Sequence, residues 1–160
     1  MTQIQNIETN FSHASSQDLP NLYDRDFALW IVETLQNLEQ RNFEQLDIKN
    51  LLGEIEDMGK SQKHALESNL AIILLHLLKW QYQPEKRSNS WKLTLREHRQ
   101  RLHKALRDSP SLKVYYLTVL AECYQDGREL AADETGLDLT TFPVELPFTS
   151  ENILDSKFLP

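Results

Sequence analysis

Apolar residues recur at helical spacing along most of the chain, and polar residues separate one such segment from the next. In the first segment the apolar positions share one side of a helix, so the sequence predicts a helix that buries that side. Asp24 is suited to cap it. Its apolar positions are Phe27, Trp30, Ile31, Leu35 and Leu38.

A second segment begins after Asp47, a candidate cap, and is predicted to place five apolar residues on one face: Ile48, Leu51, Leu52, Ile55 and Met58. Gly59 is a plausible stop. The segment around ALESNLAIILLHLLKWQYQ is apolar on nearly every side at its centre, which is typical of a helix surrounded by others. Over 47–83 the sequence is compatible with two helices or with one that runs through Gly59 at a cost of about 1 kcal/mol relative to alanine.

Two further helices are predicted, from a cap at Ser90 to about Arg107, and from Ser109-Pro110 to Glu134 with Gly136 just beyond its end. The prolines of the tail interrupt any longer helix, and Thr149 or Ser150 can cap a short one. The sequence therefore predicts an all-α antiparallel bundle of about five helices, with the tail packed across it through Phe142, Phe148, Ile153, Leu154 and Phe158.

Length and composition fit this picture. With 160 residues, 4 glycines and 6 prolines, the chain suits one helical domain over 22–160, preceded by a polar, flexible arm at 1–21. One cysteine excludes a disulfide framework, and no Cys/His cluster predicts zinc. The arm lacks the basic start and apolar stretch of a secretory leader, and the run Leu70–Leu78 is too short to span a bilayer. We expect a cytoplasmic protein without cofactor or membrane association.

Several unusual strings carry a resemblance. They are YDRDFALW, LDIKNLLGEIEDMG, LLHLLKWQYQPEKRSNSWKLTLREHRQRL and FPVELPFTSENILDSKFLP, and they occur in this order. Over about residues 22–160 the chain resembles the bacterial family catalogued as domain of unknown function twenty-nine, which is abundant in cyanobacteria. The resemblance implies an all-helical fold and no established activity. It emphasises positions that this chain retains: Trp30, Asp47, Glu54, His76, Lys79, Trp80, Ser90, Trp91 and Arg99.

Positive charge is concentrated between Lys86 and Arg107, where eight bases face one acid and the net charge is +7, whereas the rest of the chain carries −14. On a helical wheel four of these eight bases form a stripe beside Trp91. Such a stripe next to a tryptophan is suited to bind nucleic-acid phosphates and stack a base. The candidate binding residues are Trp91, Lys92, Arg96, Arg99 and Arg107, with His103 in the same stripe.

A structural interpretation of the stripe competes with this one and is favoured. The next predicted helix has an acidic stripe of its own, so the two flanks of neighbouring antiparallel helices can partly neutralise each other. A net charge of −7 also opposes non-specific binding to nucleic acid. The acidic stripe comprises Glu122, Asp126, Glu129 and Asp133.

His76 lies in the most apolar helix, so we expect it and Trp80 to be buried, with the imidazole bonded to an acid such as Glu54 or to a backbone carbonyl. Lys79 and Glu54 are the residues beside which His76 would act as a ligand or proton carrier. Glu54, Asp57, His76 and His98 lack the Glu-x-x-His spacing of di-iron bundles. The sequence therefore predicts no metal site.

Catalysis has one candidate arrangement. Arg96 and His103 lie within about 20° on the wheel, similar to the arginine-to-histidine motif of metal-independent helical ribonucleases from prokaryotic toxin systems. Arg99 joins them as a weak candidate. The favoured expectation is a non-enzymatic interaction or regulatory module with a protein partner, either itself or another chain. The alternative is a ribonuclease or RNA-binding protein that uses the basic face of the helix at 90–107.

Overall fold

The computed structural model describes residues 21–160, which are helical without a β-strand in that range. The predicted all-α fold is therefore confirmed, while the predicted arm, apart from Asn21, lies outside the described residues. Residues 21–54 belong to one compact unit and residues 55–160 form another. A single domain over 22–160 stays a prediction. The helices are α1 (Leu22–Arg25), α2 (Phe27–Glu39), α3 (Ile48–Tyr82), α4 (Asn89–Asp108), α5 (Leu112–Thr135) and α6 (Ser150–Leu154).

In the first unit, side-chain oxygens cap the short helices. Asn21 accepts from the backbone N–H of Asp24 at the start of α1, and Asp26 accepts from Leu29 N–H at the start of α2. The predicted cap at Asp24 is thus two residues early, because α1 occupies the positions before Asp26. Asp47 accepts from the N–H of Asn50 at the start of α3, as predicted.

The segment over 47–83 is one helix. α3 has 35 residues and runs through both Gly53 and Gly59, where a Cβ atom would meet nothing within 4 Å. Each glycine weakens a helix by about 1 kcal/mol relative to alanine, so packing must supply the stability that keeps α3 continuous. That packing comes from the second half of α3, in which every residue from Ile73 to Trp80 is buried.

The second unit contains the hydrophobic core. α3 contributes Leu66 to Leu78, α4 adds Leu95, Leu102 and Leu106, and α5 completes it with residues such as Tyr116 and Tyr124. Gly127 brings α5 close to α3, since a Cβ on it would lie 2.9 Å from Leu74 Cβ. The core therefore depends on direct backbone contact between α5 and α3.

The tail after α5 packs onto this core. Gly136 ends α5 with a φ of 70°, a left-handed conformation that glycine adopts without strain, as its position predicts. Tyr124 Oη donates to the carbonyl of Pro143 at 2.6 Å, which holds the first part of the tail. All five predicted anchors are confirmed: Phe142, Phe148 and Ile153 are buried, and Leu154 and Phe158 pack against them.

Two other predicted helix starts are displaced. α4 is capped by Ser88, whose Oγ accepts from Trp91 N–H, and not by Ser90, which lies inside the helix. α5 begins at Leu112 after a turn at Ser109-Pro110, and its cap position Ser111 makes no side-chain hydrogen bond. Local serine patterns place a helix start to within two or three residues, because neighbouring hydroxyls compete for the same role.

Candidate functional site

The bases of α4 form an exposed row interrupted by one buried arginine. Lys92, Arg96 and Arg107 lie on the surface. Lys92 Nζ is 5.4 Å from the centre of the Trp80 ring, and Arg107 Nε is 3.3 Å from Asp108 Oδ1. Within residues 21–160 Arg96 makes no ion pair or hydrogen bond. We call Lys92, Arg96 and Arg107 the basic row.

The ion pairs of α4 lie within α4. Arg101 pairs with Glu97 and Lys104 with Asp108, each one turn apart. Across the described residues no ion pair joins a base of α4 to an acid of the α5 stripe, so the expectation that the two flanks neutralise each other in this way is wrong. The bases find acids on their own helix, and such exposed pairs add only about 0.3–0.5 kcal/mol each.

Arg99 is not part of an exposed surface. It is 2% exposed, and its guanidinium donates to the carbonyls of Ile153 at 2.9 Å, Phe158 at 3.0 Å and Asn152 at 3.3 Å. Burial lowers the pKa of this guanidinium, and the charge of Asp155 opposes the shift. The wheel placed Arg99 in the basic stripe because the wheel contains no information about the tail, which covers this side of α4.

His103 lines a groove between α4, α5 and α6. Its Nε2 is 2.8 Å from the carbonyl oxygen of Leu154, and since a carbonyl only accepts, Nε2 carries a proton there. The groove has a volume of about 560 Å³, with Arg107 and Lys113 at its edge and Leu106, Leu117 and Leu154 among its apolar lining. Arg96 does not line it. The three residues of the candidate ribonuclease motif therefore do not gather in one open cleft.

His76 is buried, as predicted, and only 8% exposed. Its Nδ1 is 3.0 Å from the carbonyl oxygen of Ile72, so Nδ1 is the protonated nitrogen and the bond is to the backbone. Burial is the largest cause of a lowered pKa for His76, partly offset by this hydrogen bond. The arrangement is that of a neutral core histidine.

Lys79 and Glu54 have partners other than His76. Lys79 is buried and donates to Glu134 Oε2 at 2.6 Å, with its Nζ 4.5 Å from the centre of the Trp91 ring. Glu54 accepts from Tyr23 Oη at 2.5 Å. The residues that the sequence grouped around His76 as a candidate site therefore contribute to separate structural contacts.

Trp80 and Trp91 differ in burial. Trp80 is buried beneath Arg87, whose guanidinium lies 5.1 Å from the ring centre and whose Nε donates to the Trp80 carbonyl at 2.8 Å. Trp91 is half-buried and packs against Lys79. Cation–π contacts of this kind stabilise by about 0.5–1 kcal/mol when exposed and more when desolvated. Trp80 is therefore not an open platform on which a base could stack, and Lys79 lies over the ring of Trp91.

The feature that the sequence interpretation missed is on α2. Of the five apolar residues predicted to share a buried face, only Trp30 is buried, together with Thr34. The prediction that this helix buries its whole apolar face is therefore wrong. Six other large apolar side chains of α2 are exposed, and Leu29 is one of them. The other five are between 39% and 53% exposed, begin beside Trp30 and continue around the helix, and form what we call the α2 seam: Phe27, Ile31, Val32, Leu35 and Leu38.

The width of the apolar arc on α2 was a sequence signal of the exposed α2 seam, although helical spacing alone did not reveal it. Phe27, Ile31, Leu35 and Leu38 lie within about 80° on the wheel, and Val32 extends this arc. Together with Trp30 they exceed the width of a single core-facing stripe. The start of α3 continues the pattern: Ile48, Leu52, Ile55 and Met58 are exposed and Leu51 is half-buried.

Comparisons with known proteins give a family and no activity. The family model described as "Domain of unknown function DUF29" matches residues 22–159. No curated protein and no solved structure matches the chain. Among the described residues no three His, Cys, Asp or Glu side chains gather in a way that could hold a metal ion. No helix there is long and apolar enough to cross a bilayer.

Proposed function

The chain belongs to the DUF29 family, and we propose that it is a non-enzymatic interaction module that binds a helix of a protein partner along the α2 seam. The observation that carries this proposal is the exposure of five large apolar side chains on one arc of α2. An exposed apolar patch of this kind is typical of a protein–protein interaction site.

The inner side of α2 supports this interpretation. Trp30 is buried and stacks on Phe27 with ring centroids 5.6 Å apart, and Tyr23 meets Trp30 edge-on at 5.0 Å. Phe27, the first residue of the α2 seam, is therefore shared with this inner side, while the other four seam side chains are exposed to solvent. A rigid helix with an apolar arc is suited to pack against a second helix, with anchors at spacings of three and four residues.

An interaction module agrees better with the candidate residues than an enzyme does. Arg99 and His76 are committed to backbone carbonyls inside the fold, and Lys79 to Glu134. We also place the module in the cytoplasm, which the single, free and buried Cys123 supports.

RNA binding is the second candidate function, and the exposed basic row is the observation in its favour. Arg96 makes no ion pair among the described residues, and Arg107 and Lys113 flank the groove at His103. These are cations to which phosphates have access. These cations are few, however, and the net charge of the whole chain is −7, which opposes the binding of a polyanion.

A photo-crosslinking experiment tests the interaction module. p-Benzoylphenylalanine is introduced at Leu35, in the α2 seam, and as a matched control at Glu33, which is also exposed but lies about 100° around the helix from Val32, the seam residue nearest to it. In cells of its host, irradiation should convert the Leu35 protein into a discrete adduct of higher mass and leave the Glu33 protein unchanged. No adduct at Leu35, or equal adducts at both positions, would contradict the proposal.

A further inference from the structure

We infer that the partner of the α2 seam is a second copy of this chain, so that two α2 helices pack antiparallel across a two-fold axis. This inference rests on the proposed function and names its partner. Three properties of α2 carry it: the spacing of the seam residues, the charges at the two ends of the helix and the area left exposed.

The spacing is self-complementary. Phe27, Ile31, Leu35 and Leu38 are separated by steps of 4, 4 and 3 residues, so the seam reads almost the same in either direction. An antiparallel copy centred near Glu33 therefore places Phe27 opposite Leu38 and Ile31 opposite Leu35. A two-fold interface needs this property, because each copy contributes the same patch to the other.

The charges favour the antiparallel arrangement over the parallel one. The N-terminal end of α2 carries a partial positive charge and the C-terminal end a partial negative charge. Two antiparallel copies bring these opposite ends together, twice by symmetry, whereas parallel copies bring like ends together. Like charges in such positions oppose association, whereas opposite charges set orientation. Side-chain charges do not decide the orientation, because Arg25 lies between Asp24 and Asp26 before the seam and Glu39 accompanies Arg41 after it.

The exposed area is of the size that a dimer requires. A large apolar side chain that is about half exposed leaves roughly 80 Å² in water, so the five residues of the α2 seam carry about 400 Å². A standard interface buries about 800 Å² per partner. Since about 56–58% of such an interface is apolar, its apolar share is about 450 Å². The α2 seam alone nearly supplies this share.

Sedimentation of the full chain over a concentration series tests the inference. The protein should be in monomer–dimer equilibrium, and Leu35→Glu should raise the dimer dissociation constant at least 100-fold, because each dimer contains the substitution twice. Gln40→Glu adds the same charge at an exposed position about 80° around the helix from Val32, the seam residue nearest to it, and should change the constant less than about threefold. Circular dichroism checks that both variants remain helical.

Disulfide trapping tests the orientation. Phe27→Cys combined with Leu38→Cys should form covalent dimers on oxidation, while Phe27→Cys alone should not, since only antiparallel helices bring positions 27 and 38 together. A covalent dimer from Phe27→Cys alone would overturn the antiparallel arrangement.

The photo-crosslinked adduct separates failure of this inference from failure of the proposed function. An adduct of twice the chain mass supports the second copy. An adduct of any other mass, with a wild-type protein that sediments as a monomer, would overturn the second copy and keep the interaction module. A monomer without any adduct would overturn both.

Discussion

At the scale of single residues, Arg99 shows how a cation can serve the fold. Its guanidinium supplies three hydrogen bonds to carbonyls of α6 and the residues after it, and each carbonyl would otherwise be an unpaired acceptor next to the core. Planar, forked donors suit this task better than an ammonium group. Arg99 is therefore the residue that fastens the tail to α4.

Arg99→Ala should lower the free energy of unfolding by about 3 kcal/mol, because it leaves buried acceptors without donors and removes a large packed side chain. Arg99→Lys should recover only part of this loss, since one ammonium cannot span three carbonyls. Urea denaturation measures both. Arg101→Ala is the matched control on the same helix and should cost less than about 0.5 kcal/mol. Equal midpoints for Arg99→Ala and the control would contradict the fastening role.

His76 should make stability depend on pH. Burial lowers the pKa of His76, and burial together with the charge of Arg101 lowers that of His98. In the unfolded chain both histidines have a pKa of about 6.5, so below this pH the unfolded state binds more protons than the folded state. Their contribution is fully present above pH 6.5 and is lost as the pH falls toward the lowered values.

The measurement is the urea midpoint at pH 7.5 and pH 5.5. The midpoint should fall at the lower pH, and His76→Gln should reduce that fall. His64→Gln, which changes an exposed histidine, is the control and should leave the fall unchanged. A histidine NMR titration gives an independent reading, in which the His76 midpoint should lie below 6.5. A midpoint above that value would refute the assignment of a neutral core imidazole.

At the scale of elements, Gly59 and Gly127 lie in different surroundings, so substitution by alanine should have opposite effects on stability at the two positions. Gly59 lies in α3 with open space around it, whereas a Cβ on Gly127 would lie 2.9 Å from Leu74 Cβ and 3.0 Å from the Ala71 carbonyl oxygen. At Gly59, the glycine lowers helix propensity and no neighbouring atom requires it. The second permits two helices to approach closely.

Gly59→Ala should therefore raise the free energy of unfolding by about 0.5–1 kcal/mol, whereas Gly127→Ala should lower it by about 1–3 kcal/mol through overpacking. Thermal denaturation compares the two, and Gly53→Ala, also surrounded by open space, is the matched control for Gly59. Destabilisation by Gly59→Ala would mean that α3 is not a regular helix at that point.

Elements could be predicted from the sequence more reliably than their contacts. Periodicity predicted the helices and the anchors of the tail, because apolar spacing reflects local geometry directly. It could not decide whether α3 continues through Gly59, since the cost of a glycine is small beside the packing that the later half of α3 provides. It also assigned four of the five α2 seam residues to the core, because periodicity identifies an apolar face without identifying what covers it.

The same limit applies to the candidate site. A helical wheel predicted which bases of α4 share a side, and Lys92, Arg96 and Arg107 are indeed exposed. It could not show that Arg99 is covered, because the groups that cover it lie more than 50 residues further along the chain. Burial of His76 was predictable, since its neighbours in sequence are themselves nearly all apolar.

At the scale of the whole molecule, charge separates the two candidate functions. The basic row presents three cations, and Lys113 adds a fourth near the groove. Four phosphate contacts correspond to a log–log salt slope of about −3 for a single strand, a weak electrostatic attraction at physiological salt. The surrounding chain is strongly acidic and opposes the approach of a polyanion.

We therefore expect the purified protein to bind single-stranded RNA more weakly than 1 µM at physiological salt and to leave it uncleaved. A filter-binding series in salt measures the first, with Arg96→Ala as the variant: were the row a binding site, this change would reduce the slope by about 0.7. His103→Ala addresses the second, because a ribonuclease that used His103 as its general base would lose cleavage in this variant. Submicromolar, salt-sensitive binding would establish the basic row as a nucleic-acid interface, and metal-free cleavage that His103→Ala abolishes would establish a ribonuclease. We expect no tight binding because the cations are few, and no cleavage because neither Arg96 nor Arg99 lines the groove at His103.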